Sequence, residues 1–127
     1  MNATLLRLGS TGLLFLFIFI TGIGLSRSGR PFSTLSLTIH KLIGLAALIV
    51  LIVTVYQTNQ AAALSMIEWT ATAVTILLFA VTIIAGGLLS TDLALPAFVS
   101  ILHLGLPFVT LFATGGTLLL LLNRTGV

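Results

Sequence analysis

The chain contains no cysteine and very few charged residues. The absence of cysteine excludes disulfide bonds, thiolate metal ligands and thioether attachment of a cofactor. Only 6% of the 127 residues are charged, whereas 58% are hydrophobic and the mean hydropathy is +1.30. A chain of this composition cannot cover its apolar surface with polar groups as a soluble domain does. The sequence therefore predicts an integral membrane protein.

The few basic residues are scattered along the chain and form no run. Five Lys and Arg residues against two Asp and Glu residues give a formal net charge of +3. Nucleic-acid binding and a polybasic lipid-binding segment are therefore not expected. The sequence also lacks a nucleophile with a neighbouring base, a phosphate-binding glycine loop and a carboxylate-rich metal motif, so a hydrolytic enzyme is not expected either.

Four segments are long enough to cross a bilayer, which takes about 20 mostly apolar residues. They lie at about residues 8–25, 34–56, 67–89 and 97–122, separated by short connections that contain Gly29, Pro31 and Pro96. Helices joined by short loops run antiparallel to their neighbours. Residues 1–127 are therefore expected to form one all-α membrane domain, a four-helix up-down-up-down bundle built from two helical hairpins.

The two histidines of the chain occupy equivalent depths in this topology. Side A is the membrane face that holds the amino terminus, and side B is the face that holds the connections at 27–33 and 90–96. His40 follows Thr34 by six residues and His103 follows Ala97 by six residues, each inside a helix that begins at side B. Since helices 2 and 4 are diagonal in a ring of four, the two imidazoles are expected at one depth across the bundle interior.

Each predicted helix also carries a stripe of small, polar or aromatic residues at helical spacing. Small and hydroxyl residues gather where membrane helices pack, because lipid gives no hydrophobic reason to bury large ones. Both histidines lie on these stripes and are expected inside the bundle. The stripes comprise Gly12, Phe15, Phe19, Gly22 and Ser26 on helix 1; His40, Gly44, Ala47 and Leu51 on helix 2; Thr72, Thr75, Phe79, Thr82 and Gly86 on helix 3; and His103, Pro107, Thr110, Thr114 and Thr117 on helix 4.

The two hairpins form an internal repeat. "TGIGLS" ends the first helix and "AGGLLS" ends the third, and His40 follows Gly22 by 18 residues whereas His103 follows Gly86 by 17. A parallel repeat of this kind implies a pseudo-twofold axis along the membrane normal. Two inward-facing histidines related by that axis are placed as the two axial ligands of one haem would be.

This pattern resembles the four-helix haem core of membrane cytochromes b, in which histidines on the second and fourth helices hold haem and glycines on the first and third make room for it. The resemblance implies that His40 and His103 are the iron ligands and that Gly22 and Gly86 leave space for the cofactor. We assign Gly44, one turn from His40 on the same stripe, to this site as well.

The resemblance also implies how many haems are bound. Two-haem cytochromes carry a second histidine 13 or 14 residues along each ligand helix, and here those positions hold Val53 or Thr54 and Gly116 or Thr117. One non-covalent haem b is therefore expected.

Three basic residues lie near side B, where haem propionates would emerge. Arg27 and Arg30 flank the first connection and Lys41 follows His40, so all three are assigned to cofactor binding. The sequence thus predicts a small b-type cytochrome subunit, more an electron-transfer subunit than an enzyme by itself. Its expected partners are membrane lipid and other membrane or redox subunits of a larger respiratory or photosynthetic complex.

Three other interpretations stay open. A haem-free structural or assembly subunit would have the same outer apolar faces. A small proton-coupled transporter would use a membrane carboxylate such as Glu68, although its position beside Trp69 at a helix start is typical of the interface. Finally, "RPFSTLSLTIHKLIG" resembles the start of the first helix of succinate-dehydrogenase-type membrane anchors, which makes quinone a candidate ligand.

The distribution of basic residues predicts the orientation of the chain. Side B carries Arg27 and Arg30, with Lys41 just inside the helix, whereas side A carries Arg7 and Arg124. Cytoplasmic loops near helix ends are enriched in Lys and Arg. The side B loops are therefore predicted to be cytoplasmic and both termini to face outward, unless these cations serve the cofactor instead.

Cysteine labelling tests this orientation in a chain that has no cysteine of its own. Single cysteines at Ser28 and Thr125 are probed on intact cells with a membrane-impermeant thiol reagent. We expect the cysteine at position 125 to react and the one at position 28 to be protected. The opposite pattern would show that the side B arginines do not act as topology signals.

Overall fold

The computed structural model describes residues 2–124, which fold into four helices. These are α1 (Ala3–Ser28), α2 (Thr34–Ala61), α3 (Met66–Leu89) and α4 (Ala97–Asn123), and no strand occurs among the described residues. All four helices are long and apolar enough to span a membrane. The predicted all-α, four-helix bundle of an integral, multi-pass membrane protein is confirmed.

Two helices extend beyond the segments indicated by hydropathy. Helix α1 begins five residues earlier, where the Asn2 side chain accepts a hydrogen bond from the Thr4 amide and caps the helix. Helix α2 continues through the polar sequence "QTNQ" because Thr58 in this sequence still faces the interior, with 5% of its surface exposed. The labelling position Thr125 lies outside the described residues.

The four helices form a ring that is compressed along one diagonal. Helix α1 packs against α2 and α3 packs against α4 within the hairpins, and α2 also contacts both α3 and α4. By contrast, no Cα atom of α1 lies within 8 Å of a Cα atom of α3 in residues 2–124. The histidine-bearing helices α2 and α4 therefore occupy the short diagonal, and α1 and α3 the long one.

The densest packing lies in the half of the bundle nearer side A. The side chains of Leu51, Leu118 and Leu121 have no exposed surface. Phe15 of α1 and Phe79 of α3 bring their ring centroids within 5.9 Å, so two large side chains fill the long diagonal that the backbones leave open. This aromatic pair closes the interior below the level of the histidines.

The internal repeat is visible in the burial of side chains. Phe15 lies seven residues before Gly22, and Phe79 lies seven residues before Gly86. On the two histidine-bearing helices, the five buried positions of α2 recur in α4 at identical distances from the respective histidine. They are Ala47, Leu51, Thr54, Val55 and Thr58 in α2, and Thr110, Thr114, Thr117, Leu118 and Leu121 in α4.

The interior face of α1 differs from the predicted stripe. Thr11 and Leu25 are buried, whereas Gly12 and Ser26 are exposed. Phe15 sets this rotation because its ring, only 2% exposed, packs against the equivalent ring of α3. With Phe15 facing inward, helical periodicity places two further residues on the same interior face. These are Thr11, four residues earlier, and Leu25, ten residues later.

The side A core predicts the effect of truncating one leucine in α4. Leu118→Ala should destabilise the bundle by on the order of 2 kcal/mol, the low end of the range for buried leucines, because only packing contacts are lost when both environments are apolar. Leu119→Ala is the matched control, since the Leu119 side chain is exposed on the outer face. Unfolding in mixed micelles with increasing denaturing detergent measures both, and equal losses would contradict this account of the core.

Candidate functional site

The structure brings the two histidines together. His40 of α2 and His103 of α4 are both half-buried, and their ring centroids lie 6.3 Å apart with the ring planes at 80°. Each histidine is six residues from the start of its helix, as the sequence indicated. The two imidazoles therefore share one depth near side B, on the short diagonal of the bundle.

The Nδ1 atom of His40 is held by helix α1. It lies 2.8 Å from the hydroxyl oxygen of Thr21, and the Ile18 carbonyl is near the ring as well. The Thr21 hydroxyl donates its only proton to the helix backbone, with Phe17 O at 2.7 Å. Thr21 therefore accepts a hydrogen bond from His40, which requires the ring proton to be on Nδ1.

The Nδ1 atom of His103 is held by helix α3 in a similar way. It lies 3.1 Å from the backbone carbonyl of Thr82, which can only accept a hydrogen bond. His103 therefore also carries a proton on Nδ1. Within residues 2–124 neither Nε2 atom has a hydrogen-bond partner. In the neutral ring this leaves each Nε2 with a free lone pair, which is the form that binds a metal.

Gly22 and Gly86 make room for the imidazole rings themselves. A Cβ atom added to Gly22 would lie 3.2 Å from Cε1 of His40, and one added to Gly86 would lie 2.5 Å from Cε1 of His103. Gly44 has open space beside it instead, because a Cβ atom there would meet nothing within 4 Å. From the sequence, all three glycines were expected to border the cofactor. In the structure, Gly22 and Gly86 instead contact the histidine rings that are its expected ligands.

Two of the three side B cations line a cavity of about 400 Å³. Lys41 Nζ donates to the Ser90 hydroxyl at 2.9 Å. Arg30 donates to the carbonyls of Leu89 and Thr91, which ties the first connection to the carboxyl end of α3, where a cation is favoured by the helix dipole. Arg27 lies exposed in the last turn of α1 and is not among the residues that line this cavity.

Glu68 forms hydrogen bonds and an ion pair at the side A end of the bundle. Its carboxylate accepts hydrogen bonds from the amide and hydroxyl of Ser65, completing a capping box at the start of α3. The same carboxylate lies 3.1 Å from Nε of Arg124, and Arg124 also donates to the carbonyls of Ala62 and Ala63. Glu68 thus joins the α2–α3 connection to the end of α4.

Sequence reasoning missed the residues that orient the histidines. Thr21 lies outside the predicted stripe of helix 1, although it directly precedes Gly22. The Thr82 side chain was placed on a stripe, but it is its carbonyl that contacts His103. Proximity to the repeated glycine was a signal for both, yet composition alone cannot tell which backbone or hydroxyl oxygen a ring nitrogen meets.

Comparison with family models, with curated proteins and with solved structures finds no match to this chain. The described residues also contain no cluster of three or more His, Cys, Asp or Glu side chains that would hold a metal ion without further ligands. A functional assignment therefore depends on the paired histidines and their surroundings.

The contacts of the glycines predict unequal effects of adding one methyl group. Gly86→Ala should displace the His103 ring and cost about 1–3 kcal/mol, as overpacking of a filled site does. Gly22→Ala should have a smaller effect, because its added atom meets the ring at 3.2 Å and not 2.5 Å. The histidine side-chain signals in NMR spectra and unfolding in detergent measure the two effects.

Gly87→Ala is the matched control for Gly86→Ala. A Cβ atom at this adjacent position of α3 meets nothing within 4 Å. We expect its histidine signals to equal those of the unchanged protein and its stability to be unchanged or higher by up to about 1 kcal/mol, because alanine is the better helix former. Unshifted His103 signals in Gly86→Ala would be incompatible with the close contact described above.

Proposed function

We propose that this chain is a small membrane b-type cytochrome subunit that holds one haem between His40 and His103 and serves in electron transfer. The observation that carries the proposal is the pair of histidines at one depth, each with Nδ1 engaged and Nε2 free. A hydrogen bond on Nδ1 is the usual means by which a protein fixes the tautomer and orientation of a histidine that binds a metal through Nε2.

The separation of the two rings supports the same function. A metal-bound imidazole nitrogen lies about 2.0–2.1 Å from its metal, and the ring centre lies about 1 Å further back, so two rings that bind one metal have centres about 6 Å apart. The centroids of His40 and His103 are 6.3 Å apart. The observed separation is close to that value and supports the pair as ligands of one metal ion.

The long diagonal of the bundle supports this proposal. A haem held by His40 and His103 would extend between α1 and α3. That direction is the long diagonal, where the backbones do not approach within 8 Å among the described residues. The open space beside Gly44 lies one turn below His40, and the Phe15–Phe79 pair closes the interior beneath.

The surroundings of the pair favour electron transfer over substrate chemistry. A haem supplies a one-electron redox centre, and two imidazoles leave it no open position for oxygen or a substrate. His40 and His103 would hold the iron, and Gly22 and Gly86 give the two rings space. Arg30 and Lys41 line the cavity at side B and would lie near the propionate carboxylates of the haem. Arg27, further out, would add positive charge at that surface.

The position of the site limits which partners are reached. Both rings lie six residues from the side B ends of their helices, so exchange of electrons is expected at that face. The outer surface carries many exposed large apolar side chains, which suit lipid and neighbouring membrane subunits of a larger respiratory or photosynthetic complex. Quinone stays a candidate partner at the same face.

The transporter interpretation has less support. A carboxylate that alternately binds a proton and a substrate must be free to exchange partners. Glu68 instead bonds to Ser65 and pairs with Arg124 at the surface end of α3. These contacts favour a structural role for Glu68, and no other acidic residue lies within a described helix.

Haem content tests the proposal directly. The purified chain should contain one non-covalent haem b per polypeptide, low-spin and six-coordinate in its reduced-minus-oxidised spectrum. A pyridine haemochrome assay measures the stoichiometry. No haem after expression with sufficient haem supply would favour a haem-free structural subunit, and two haems per chain would contradict a single site.

Substitution of either histidine tests the ligand assignment. His40→Ala and His103→Ala should each abolish stable haem binding, since one remaining imidazole holds the iron weakly. Glu68→Gln is the control at the other end of the bundle and should leave the spectrum unchanged. A six-coordinate spectrum that survives either histidine change would exclude the pair as axial ligands.

A further inference from the structure

We propose that Thr21 is a positioning residue for His40 and that it makes the two axial ligands unequal. The inference rests on the proposed haem site and goes beyond it, because it assigns a role to a residue of α1 that does not bind the cofactor. The hydroxyl oxygen of Thr21 lies 2.8 Å from His40 Nδ1, the shortest polar contact of either histidine among the described residues.

The Thr21 hydroxyl uses its proton in a hydrogen bond to the backbone of α1. Its oxygen lies 2.7 Å from Phe17 O and 3.2 Å from Ile18 O, both on the preceding turn of α1. With that proton shared between carbonyls, the oxygen presents only lone pairs to His40. Thr21 therefore acts as a fixed acceptor that keeps the imidazole proton on Nδ1 and leaves Nε2 for the metal.

When the two repeats are compared, the second hairpin has no residue equivalent to Thr21. The position before Gly86 that corresponds to Thr21 is Ala85, which has no hydroxyl. His103 is held by the Thr82 carbonyl, four residues before Gly86, and the corresponding carbonyl in the first half belongs to Ile18. His40 thus has a hydroxyl acceptor in addition to this carbonyl environment, and His103 has the carbonyl alone.

This difference has a chemical consequence. An acceptor on Nδ1–H increases the basicity of the opposite nitrogen, and loss of such a partner typically weakens metal binding by about 10–100-fold. A more basic axial imidazole stabilises ferric over ferrous iron. Removing the Thr21 hydroxyl should therefore weaken haem binding by about 10–100-fold and raise the midpoint potential.

The experiment compares three variants of the full chain. Thr21→Val removes the hydroxyl and keeps the shape of the side chain, whereas Thr21→Ser keeps the hydroxyl. Thr70→Val is the matched control, because Thr70 of α3 makes the same bond to the carbonyl four residues earlier, at 2.8 Å to Met66 O, on an exposed face away from both histidines. The readouts are haem affinity, midpoint potential and the low-spin electron paramagnetic resonance spectrum.

We expect Thr21→Val to show the higher potential and the weaker binding, with Thr21→Ser and Thr70→Val close to the unchanged protein. Equal potentials and affinities in Thr21→Val and Thr70→Val would overturn the role of Thr21 while leaving the haem site intact. Failure of Thr21→Ser to restore the potential would overturn it too. A complete absence of haem from the unchanged chain would instead remove the proposed function.

A measurement without haem keeps the inference testable if Thr21→Val binds none. The ¹⁵N chemical shifts of the His40 ring distinguish a protonated Nδ1 from a bare one. In the haem-free chain we expect Nδ1 to be protonated, with the tautomer mixture moving towards protonated Nε2 in Thr21→Val. Identical shifts in both proteins would show that Thr21 does not select the tautomer.

Discussion

Two imidazoles in an apolar bundle must find their hydrogen-bond partners inside the protein, because lipid offers none. Each histidine meets this constraint within its own hairpin: His40 bonds to Thr21 of α1, and His103 bonds to the Thr82 carbonyl of α3. Each hairpin therefore supplies the hydrogen-bond partner of its own ring. The two rings lie close together because α2 and α4, which carry them, form the short diagonal of the bundle.

Where an imidazole ring lies close to a neighbouring helix, that helix has a residue without a side chain at the point of contact. Gly22 and Gly86 lie where any Cβ atom would press on an imidazole, so the repeated glycines follow from the histidine positions. Further from side B, the gap between the backbones of α1 and α3 is filled by the rings of Phe15 and Phe79. The leucines with no exposed surface, Leu51, Leu118 and Leu121, lie in the half nearer side A, whereas His40 and His103 near side B are only half-buried.

Hydropathy and short connections were sufficient to predict four helices and the shared depth of His40 and His103, since both follow from chain length along a helix. The interior face of helix α1 could not be predicted in this way. The stripe through Gly12 and Ser26 and the face through Thr11 and Leu25 have the same periodicity, and only the packing of Phe15 against Phe79 selects the second. For the same reason the sequence did not identify Thr21 as a partner of His40, because the rotation of α1 decides what its hydroxyl meets.

The two halves differ in how their helices are held together, although their buried positions correspond. In the second hairpin Thr75 and Thr117 bond across the helix interface at 2.8 Å. Their equivalents in the first hairpin, Thr11 and Thr54, do not meet: the buried Thr11 hydroxyl has no partner among the described residues, and Thr54 donates to its own helix. At the level of these threonines the first hairpin is therefore held by apolar packing alone. Near side B, however, both hairpins are joined through their histidine, the first by the bond from His40 to the Thr21 hydroxyl and the second by the bond from His103 to the Thr82 carbonyl, so the orientation of the rings does not depend on the threonine pair further down.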